Sequence, residues 1–471
     1  MILKIASKEF KEIVREGRFK VTAAIVLVLL IISIIASNAY YKSINEQHER
    51  AKQNARKVWE GQGTKNPHSA AHYGTYAFKP KYPLSLIDQG VDKYAGASIY
   101  LEAHHRNESQ NMAAQDQTAL SRFGELTPDF LLLFIIPFVI ILIGFNAFSG
   151  ERERGTLRLL SSIGISPARL AMGKWLGVFI PIMILVLPIY LLAIILLSSM
   201  SDYGQFSFGG LSLLFLVYII FYAIITNITL IVSAVSKKSS LAFITLLAVW
   251  IVGCLAVPKL TTGLAQKLYP YPSQTEFEAQ IAADRANTPN LELSWDAQSK
   301  LLADEMLKKY NVDSVSQLPI NLDGLLMKRG EEMDAELWFK HYDLLRATQD
   351  KQENVYQVMS LTSPFLPARF LSMAVCRTDY DSHWDFADAA ERYRLMMMGR
   401  MNTDLMNNSR TGEWDYMASD SLWTSVPDFE YTPPTYAGIM QNNAGHLSVL
   451  IAWLIGSFAL LSVAVKSIKP S

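Results

Sequence analysis

At 471 residues and 52.9 kDa the chain is long enough for two soluble domains, but 50% of its residues are hydrophobic, 18% are charged, and its mean hydropathy is +0.16. That is too apolar for most soluble proteins of this size, so membrane spans are expected. The 43 basic and 43 acidic residues cancel, which argues against a nucleic-acid partner, and two cysteines cannot build a disulfide framework.

The chain opens with IASKEFKEIVREGRF, residues 5–19, in which Ile5 or Ala6, Phe10, and Ile13 or Val14 share one helical stripe while Lys4, Lys8, Lys11 and Arg15 lie elsewhere. This predicts an amphipathic helix lying on a membrane surface. The apolar run at 21–40 is long enough to cross the hydrocarbon core. Its basic approach and the small residues Ser37-Asn38-Ala39 also resemble a secretory signal, but the long amphipathic segment ahead of it favours a retained span.

A long polar segment follows, residues 41–129, whose first part (45–61) reads as a helical continuation of the span. His68 and His72 stand at i, i+4 spacing and His104-His105 lies further on. Such pairs can ligate zinc or copper, although isolated histidine pairs usually sit on a solvated surface, and no metal is expected. The second span is FLLLFIIPFVIILIGFNAF, residues 130–148.

The apolar text then breaks at FSGERERGTLRLLSSIGISPARLAMGKWLG, residues 148–177. Leu157, Leu160 and Ile163 or Gly164 recur at helical spacing, Glu151 and Glu153 sit near the start where the macrodipole favours acids, and Gly164 with Pro167 ends the helix. The expectation is a short amphipathic helix at about 150–164. A solvated loop helix without a partner is the plainer alternative.

Spans three to six are read at 175–200, 209–235, 239–258 and 446–465. Asn146, Thr226, Asn227, Thr229 and several serines are the polar groups within spans, expected to bond helix to helix. The spans carry almost no ionisable side chain, which argues against a proton relay. Between spans five and six, residues 259–445 form the longest polar segment. Leu326, Met333, Leu337, Leu344, Thr348, Val355 and Met359 predict a long packed helix there, with further helices at 298–310 and 385–407. Met396, Met397, Met398, Met401 and Met406 offer thioethers to copper(I), but methionines at helical spacing usually fill a core.

Charge sets the orientation. With the N-terminus inside, the short cytoplasmic pieces 1–20, 149–174, 236–240 and 466–471 hold 15 Lys and Arg against only Glu9, Glu12, Glu16, Glu151 and Glu153. The two long polar segments, left with an acidic excess, then lie outside.

The stretch at 148–177 closely resembles the loop after the second span in ABC-2-type transporter permeases, where an E-x-E-R-G-T-L run is followed by a basic residue and a G-K pair before the third span. In that family the element is a coupling helix seated in a groove of a separate ATP-binding subunit. The resemblance implies that Glu151, Glu153, Arg154, Gly155, Thr156 and Leu157 form the docking surface. IASKEFKEIVREGRF likewise resembles the family's N-terminal interfacial helix. SPFLPARFLSMAVCRTDYDSHWDFADAAERYR, residues 363–394, is similar to an extracytoplasmic domain of unknown function that some of these permeases carry between spans five and six, with Cys376-Arg377 standing where small residues are usual.

No catalytic set accompanies these features. Gly173-Lys174 is followed by Trp175 and lacks the upstream glycine of a phosphate loop, since Ala168 holds that place, and H-E-x-x-H, G-x-S-x-G and paired C-x-x-C motifs are missing. Cys254 and Cys376 are expected to be packed thiols. ATP and magnesium therefore belong to a partner chain, and no cofactor is expected in this one.

The expectation is a mainly α, six-span polytopic membrane protein with a helical extracytoplasmic domain. It divides into 1–40 (interfacial helix and first span), 41–129 (first outer segment), 130–258 (spans two to five with the coupling helix), 259–445 (second outer segment) and 446–471 (sixth span and tail). Both termini are cytoplasmic and the chain resides in the cytoplasmic membrane. Its role is that of a non-enzymatic permease driven by two ATPase subunits, paired with a second copy or a related permease and moving cargo outward. The alternative is a complex that moves no solute and transmits force to a periplasmic or envelope partner.

Overall fold

The computed structural model describes residues 1–110, 126–162, 165–200 and 206–467. Among these residues six helices are long and apolar enough to cross a membrane. Helix α1 (Ile2–Arg15) turns a corner at Glu16, whose backbone is extended, into α2 (Gly17–Glu60). The expected continuation of the first span is there: α2 runs unbroken for 44 residues, about 66 Å at 1.5 Å per residue, twice the thickness of a hydrocarbon core. Its first half exposes Val21, Ile25, Val28, Ile32 and Ile35 as a lipid-compatible stripe. Its second half carries the i, i+4 pairs Glu46–Arg50 and Arg56–Glu60, the composition of a solvated helix.

Beyond α2 come α3 (Pro67–Tyr73) and an antiparallel meander of β1 (Thr75–Phe78), β2 (Ser98–Glu102) and β3 (His105–Gln110). The register pairs Thr75 with Leu101 and Glu102 with His105. The second span, α4 (Pro128–Glu153), contains a π-turn at Leu131–Ile135 just before Pro137. The fifth, α8 (Ser239–Leu268), has another at Val252–Ala256 just before Pro258. A proline has no N–H to return to the preceding turn, and each wide turn absorbs that break without ending the helix. Between them lie α5 (Thr156–Ser162), α6 (Pro167–Ser198) and α7 (Phe208–Val235).

The second polar segment supplies α9 (Gln274–Ala286), opened by a Ser273/Glu276 capping box, then α10 (Trp295–Tyr310) and the 38-residue α11 (Leu322–Met359). After them come α12 (Phe365–Cys376), α13 (Tyr380–Asn408), α14 (Asp420–Ser425) and α15 (Tyr436–Asn442), and α16 (Ala444–Lys466) is the sixth candidate span. The stripe expected along α11 holds only in part: Leu326 and Leu337 are buried, but Leu344 is 56% exposed. Past His341 only Gln349 of α11 is buried, so the face that carries Leu344 is no longer covered.

The two polar segments share one core beyond the spans. Trp59 packs with Ile99, Leu101, Phe386, Met397, Met401 and Trp423. The indoles of Trp59 and Trp423 meet edge to face at 6.1 Å. Trp59 Nε1 donates to the Trp423 carbonyl at 3.1 Å, and Trp423 Nε1 to that of Gly63 at 2.7 Å. Burying two indoles with their N–H groups satisfied fixes this head to the far end of α2. The α1 helix, the Ser149–Ser162 stretch and the 236–238 turn gather at the opposite ends of the spans.

Candidate functional site

The stretch singled out in the sequence folds as two short helical pieces, not one. Ser149–Glu153 is the last turn of α4, and Gly155, at φ +73°, reverses the chain into α5. Only glycine enters that left-handed region freely. Ile163 and Gly164, the expected end of the helix, lie outside the described residues.

The turn Ser149–Glu153 is tied to four other elements. The Oε1 atom of Glu151, buried, lies 3.0 Å from the Lys174 ammonium on α6 and 2.9 Å from that of Lys8 on α1. Lys174, with no exposed surface, also reaches Glu9 of α1 at 2.9 Å, and Lys8 stands 3.2 Å from Glu9. Lys8 and Lys174 thus alternate with Glu9 and Glu151 in one cluster, buried except at Lys8, which is half exposed and also meets Glu12 at 3.4 Å. Burial disfavours the Lys8 ammonium, but the hydrogen bond to Glu151 and the charges of Glu9 and Glu151 outweigh it and raise its pKa.

Arg152 closes a third connection. Its guanidinium donates to the carbonyl of Ala234 at 2.6 Å and to that of Ser236, capping the C-terminal end of α7, where the helix dipole favours a cation. Ser233 Oγ on α7 accepts from the backbone N–H groups of Phe148 and Ser149 at 3.0 and 3.2 Å. The fourth connection is to α8: Glu153 accepts from Ser239 N–H at 3.2 Å and from Ser239 Oγ at 2.6 Å. A carboxylate at a helix start is favourable for the same electrostatic reason.

The six residues expected to form the docking surface divide in two. Glu151 and Leu157 face inward, the former into the ion cluster and the latter into the core of the spans. Glu153, Arg154, Gly155 and Thr156 are exposed, and so are Arg158 and Leu159, the latter at 62%. Thr156 Oγ1 donates to the Glu151 carbonyl at 3.2 Å, and Arg154 Nε to that of Gly150 at 3.1 Å, holding the corner rigid. Leu157 and Leu160 seat α5 against the protein; its outward apolar group is Leu159.

The fit of α1 on α6 depends on two glycines one turn apart. A Cβ on Gly173 would stand 2.6 Å from the Ile5 side chain, and one on Gly177 would stand 2.4 Å from the Glu9 Cβ. Glu9 therefore belongs to the buried face of α1 with Ala6 and Ile13. The apolar stripe read from the sequence omits it, because a lone acid is assigned to solvent unless its lysine is known. Lys8, Arg152 and Ser239 are likewise visible only after folding.

At the head end of the spans a second polar cluster joins the same rods. Arg369 of α12 reaches Asp129 at the start of α4 at 2.5 Å and Asp88 at 3.3 Å. Ser372 Oγ donates to Asp88 at 2.6 Å and lies 2.8 Å from the Tyr218 hydroxyl on α7. Burial pushes the Asp88 carboxyl up to about 6, with Arg369 pulling the other way. Beside it a cavity of about 920 Å³ opens between the head and the spans, lined among others by Asp129, Phe134, Pro258, Tyr356, Arg369 and Trp384.

Other expectations resolve simply. Asn227 Nδ2 donates across to Ser457 Oγ of α16 at 2.9 Å, whereas Thr226 bonds the Tyr222 carbonyl of its own helix. Met397, Met398 and Met401 fill the head core, and Cys254 and Cys376 are buried free thiols. A family model described as ABC-2 family transporter protein matches residues 3–461. The chain belongs to the ABC-2 transporter family. It is accordingly a multi-pass membrane protein, the membrane component of such a transporter, and the family implies an ABC ATPase as its partner. None of the curated proteins compared with this ABC-2 chain matches it.

Proposed function

We propose that this ABC-2 chain is the permease subunit through which ATP hydrolysis on a separate subunit drives export across the cytoplasmic membrane. The observation that carries the reading is the arrangement around Ser149–Glu153: one turn joined to α1, α6, α7 and α8 while its neighbours Arg154, Thr156, Arg158 and Leu159 remain exposed. An element that transmits motion needs rigid attachment on one side and a surface to be gripped on the other. In this reading two ATPase subunits grip the Gly155 corners of two permease copies, or of this chain and a related one. The basic residues of α1, of 149–174 and of the 236–238 turn hold that face in the cytoplasm, both termini with it, and place the head outside.

Cargo would meet the cavity between head and spans, whose volume lies within the range of about 300–1,000 Å³ common to small-molecule sites. Its aromatic walls, with Asp129 and Arg369 at hand, suit an amphipathic solute.

Docking is tested at Leu159, whose side chain is mostly exposed, and not at Glu153, whose carboxylate also opens α8. Leu159→Asp and Arg158→Glu should lower recovery of the ATPase subunit with detergent-solubilised permease at least tenfold and abolish stimulated ATP turnover in lipid, with insertion unchanged. Parental recovery and turnover in both variants would refute the reading.

A further inference from the structure

His68 and His72 stand one turn apart on α3, whose start is set by Pro67 and by the Asn66 side chain accepting from His68 N–H at 2.8 Å. Their Nε2 atoms are 3.2 Å apart. His104 arrives from the tight turn between β2 and β3, its ring centroid 5.8 Å from that of His68 and 5.1 Å from that of His72. One ring nitrogen from each of the three lies within 4.8 Å of the other two. His105, the next residue, is exposed and outside the trio.

We propose that His68, His72 and His104 form a binding site for a divalent transition ion of the zinc class, with a fourth position open to solvent. Zinc–imidazole bonds of about 2.0–2.1 Å in a tetrahedron set nitrogens about 3.3–3.4 Å apart, so the His68–His72 edge already has the required length. A single N–H···N bond would satisfy that pair alone. The third ring is what a hydrogen-bonded pair has no use for.

The setting of His104 argues for a ligand and not for packing. Its ring Nδ1 lies 2.8 Å from Glu331 Oε1, which also accepts its backbone N–H at 2.7 Å, and Arg394 holds the other carboxylate oxygen at 2.8 Å. With Nδ1 engaged by a carboxylate, Nε2 is the atom left for a metal, the usual outer-shell arrangement of a ligating histidine. The backbone of His104 is at φ +66°, a left-handed conformation that non-glycine residues seldom hold and that recurs at functional sites. All three donors are imidazole nitrogens, which suits zinc and its neighbours and does not suit magnesium or calcium. A bound ion would join α3 and the β2–β3 turn of the first polar segment, through Glu331, to α11 of the second.

The test uses the full-length chain in detergent, purified through a histidine-free tag in metal-free buffer and titrated calorimetrically with Zn²⁺. One ion per chain is expected, with Co²⁺ giving the intense visible bands of a tetrahedral site. His72→Ala, at an exposed ring, and His104→Ala should each weaken binding at least 100-fold. His105→Ala should leave it unchanged. Glu331→Gln should weaken it about 10- to 100-fold. Absence of stoichiometric binding by the parent, or parental affinity in His72→Ala, would overturn the site, and a strongly tetragonal Cu²⁺ complex with no zinc binding would overturn the zinc-class assignment.

Discussion

Lys174 is the residue on which the cytoplasmic-side cluster turns, because it touches both the glutamate of α1 and that of the Ser149–Glu153 turn with no exposed surface, whereas Lys8, which meets the same two carboxylates, is half exposed. Lys174→Met would leave Glu9 and Glu151 with Lys8 as their single cation. Removing one partner of a buried pair costs about 3–5 kcal/mol, whereas replacing both with apolar groups is often neutral. The expected outcome is a large fall in thermal stability for Lys174→Met and for Glu151→Leu. The double variant, which keeps the Lys8–Glu9 pair, should lie closer to the parent than either. Melting of the detergent-solubilised variants checks this, and additive losses would show that the four charges do not act as a unit. At this scale the sequence was only half readable. Glu151 and Lys174 both stand in the charged 148–177 stretch, but pairing is a property of distance in space, and nothing in the spacing joins Glu9 to a lysine 165 positions away.

Elements were easier to read than residues, since a span announces itself by twenty consecutive apolar residues while a contact does not. All six spans fall where hydropathy places them, and the extension of the first past Asn45 and the long helix before Met359 are present. Strands of four to six residues inside a helical segment leave too little alternation for the three-stranded sheet to be legible in the sequence. The break at Gly155 was equally hidden, as a glycine inside an otherwise helical pattern is ambiguous until its φ is known. The packing of α1 on α6 yields a prediction of its own. Gly177→Val, which would drive a branched side chain into Glu9, should release α1 without unfolding the spans. Limited proteolysis would then cut between α1 and α2 at a protease dose that leaves the parent intact; an uncut α1 would show that the two helices can separate enough to accept the side chain.

For the whole molecule, the two polar clusters lie at opposite ends of the same two rods. The α4 helix begins at Asp129 in one and ends at Glu151 in the other, and α7 carries Tyr218 near the first and Ser233 and Ala234 at the second. The proposed orientation makes these the outer and inner ends. Cysteines placed at Lys52 and Asp313, both exposed, should react with an impermeant thiol reagent on intact spheroplasts, and one at Ser162 should react only after lysis; the buried native thiols give little background. Labelling of Ser162→Cys from outside would invert the map. The first span adds a mechanical consequence. It joins the interfacial helix to the Trp59–Trp423 contact as one uninterrupted rod. Over about 66 Å, a tilt of about 5° carries the far tip some 6 Å sideways, roughly the width of an amino-acid side chain. In the proposed reading, a small rocking at the membrane surface would thereby be geared up into a sideways stroke of the head at the Trp59–Trp423 contact.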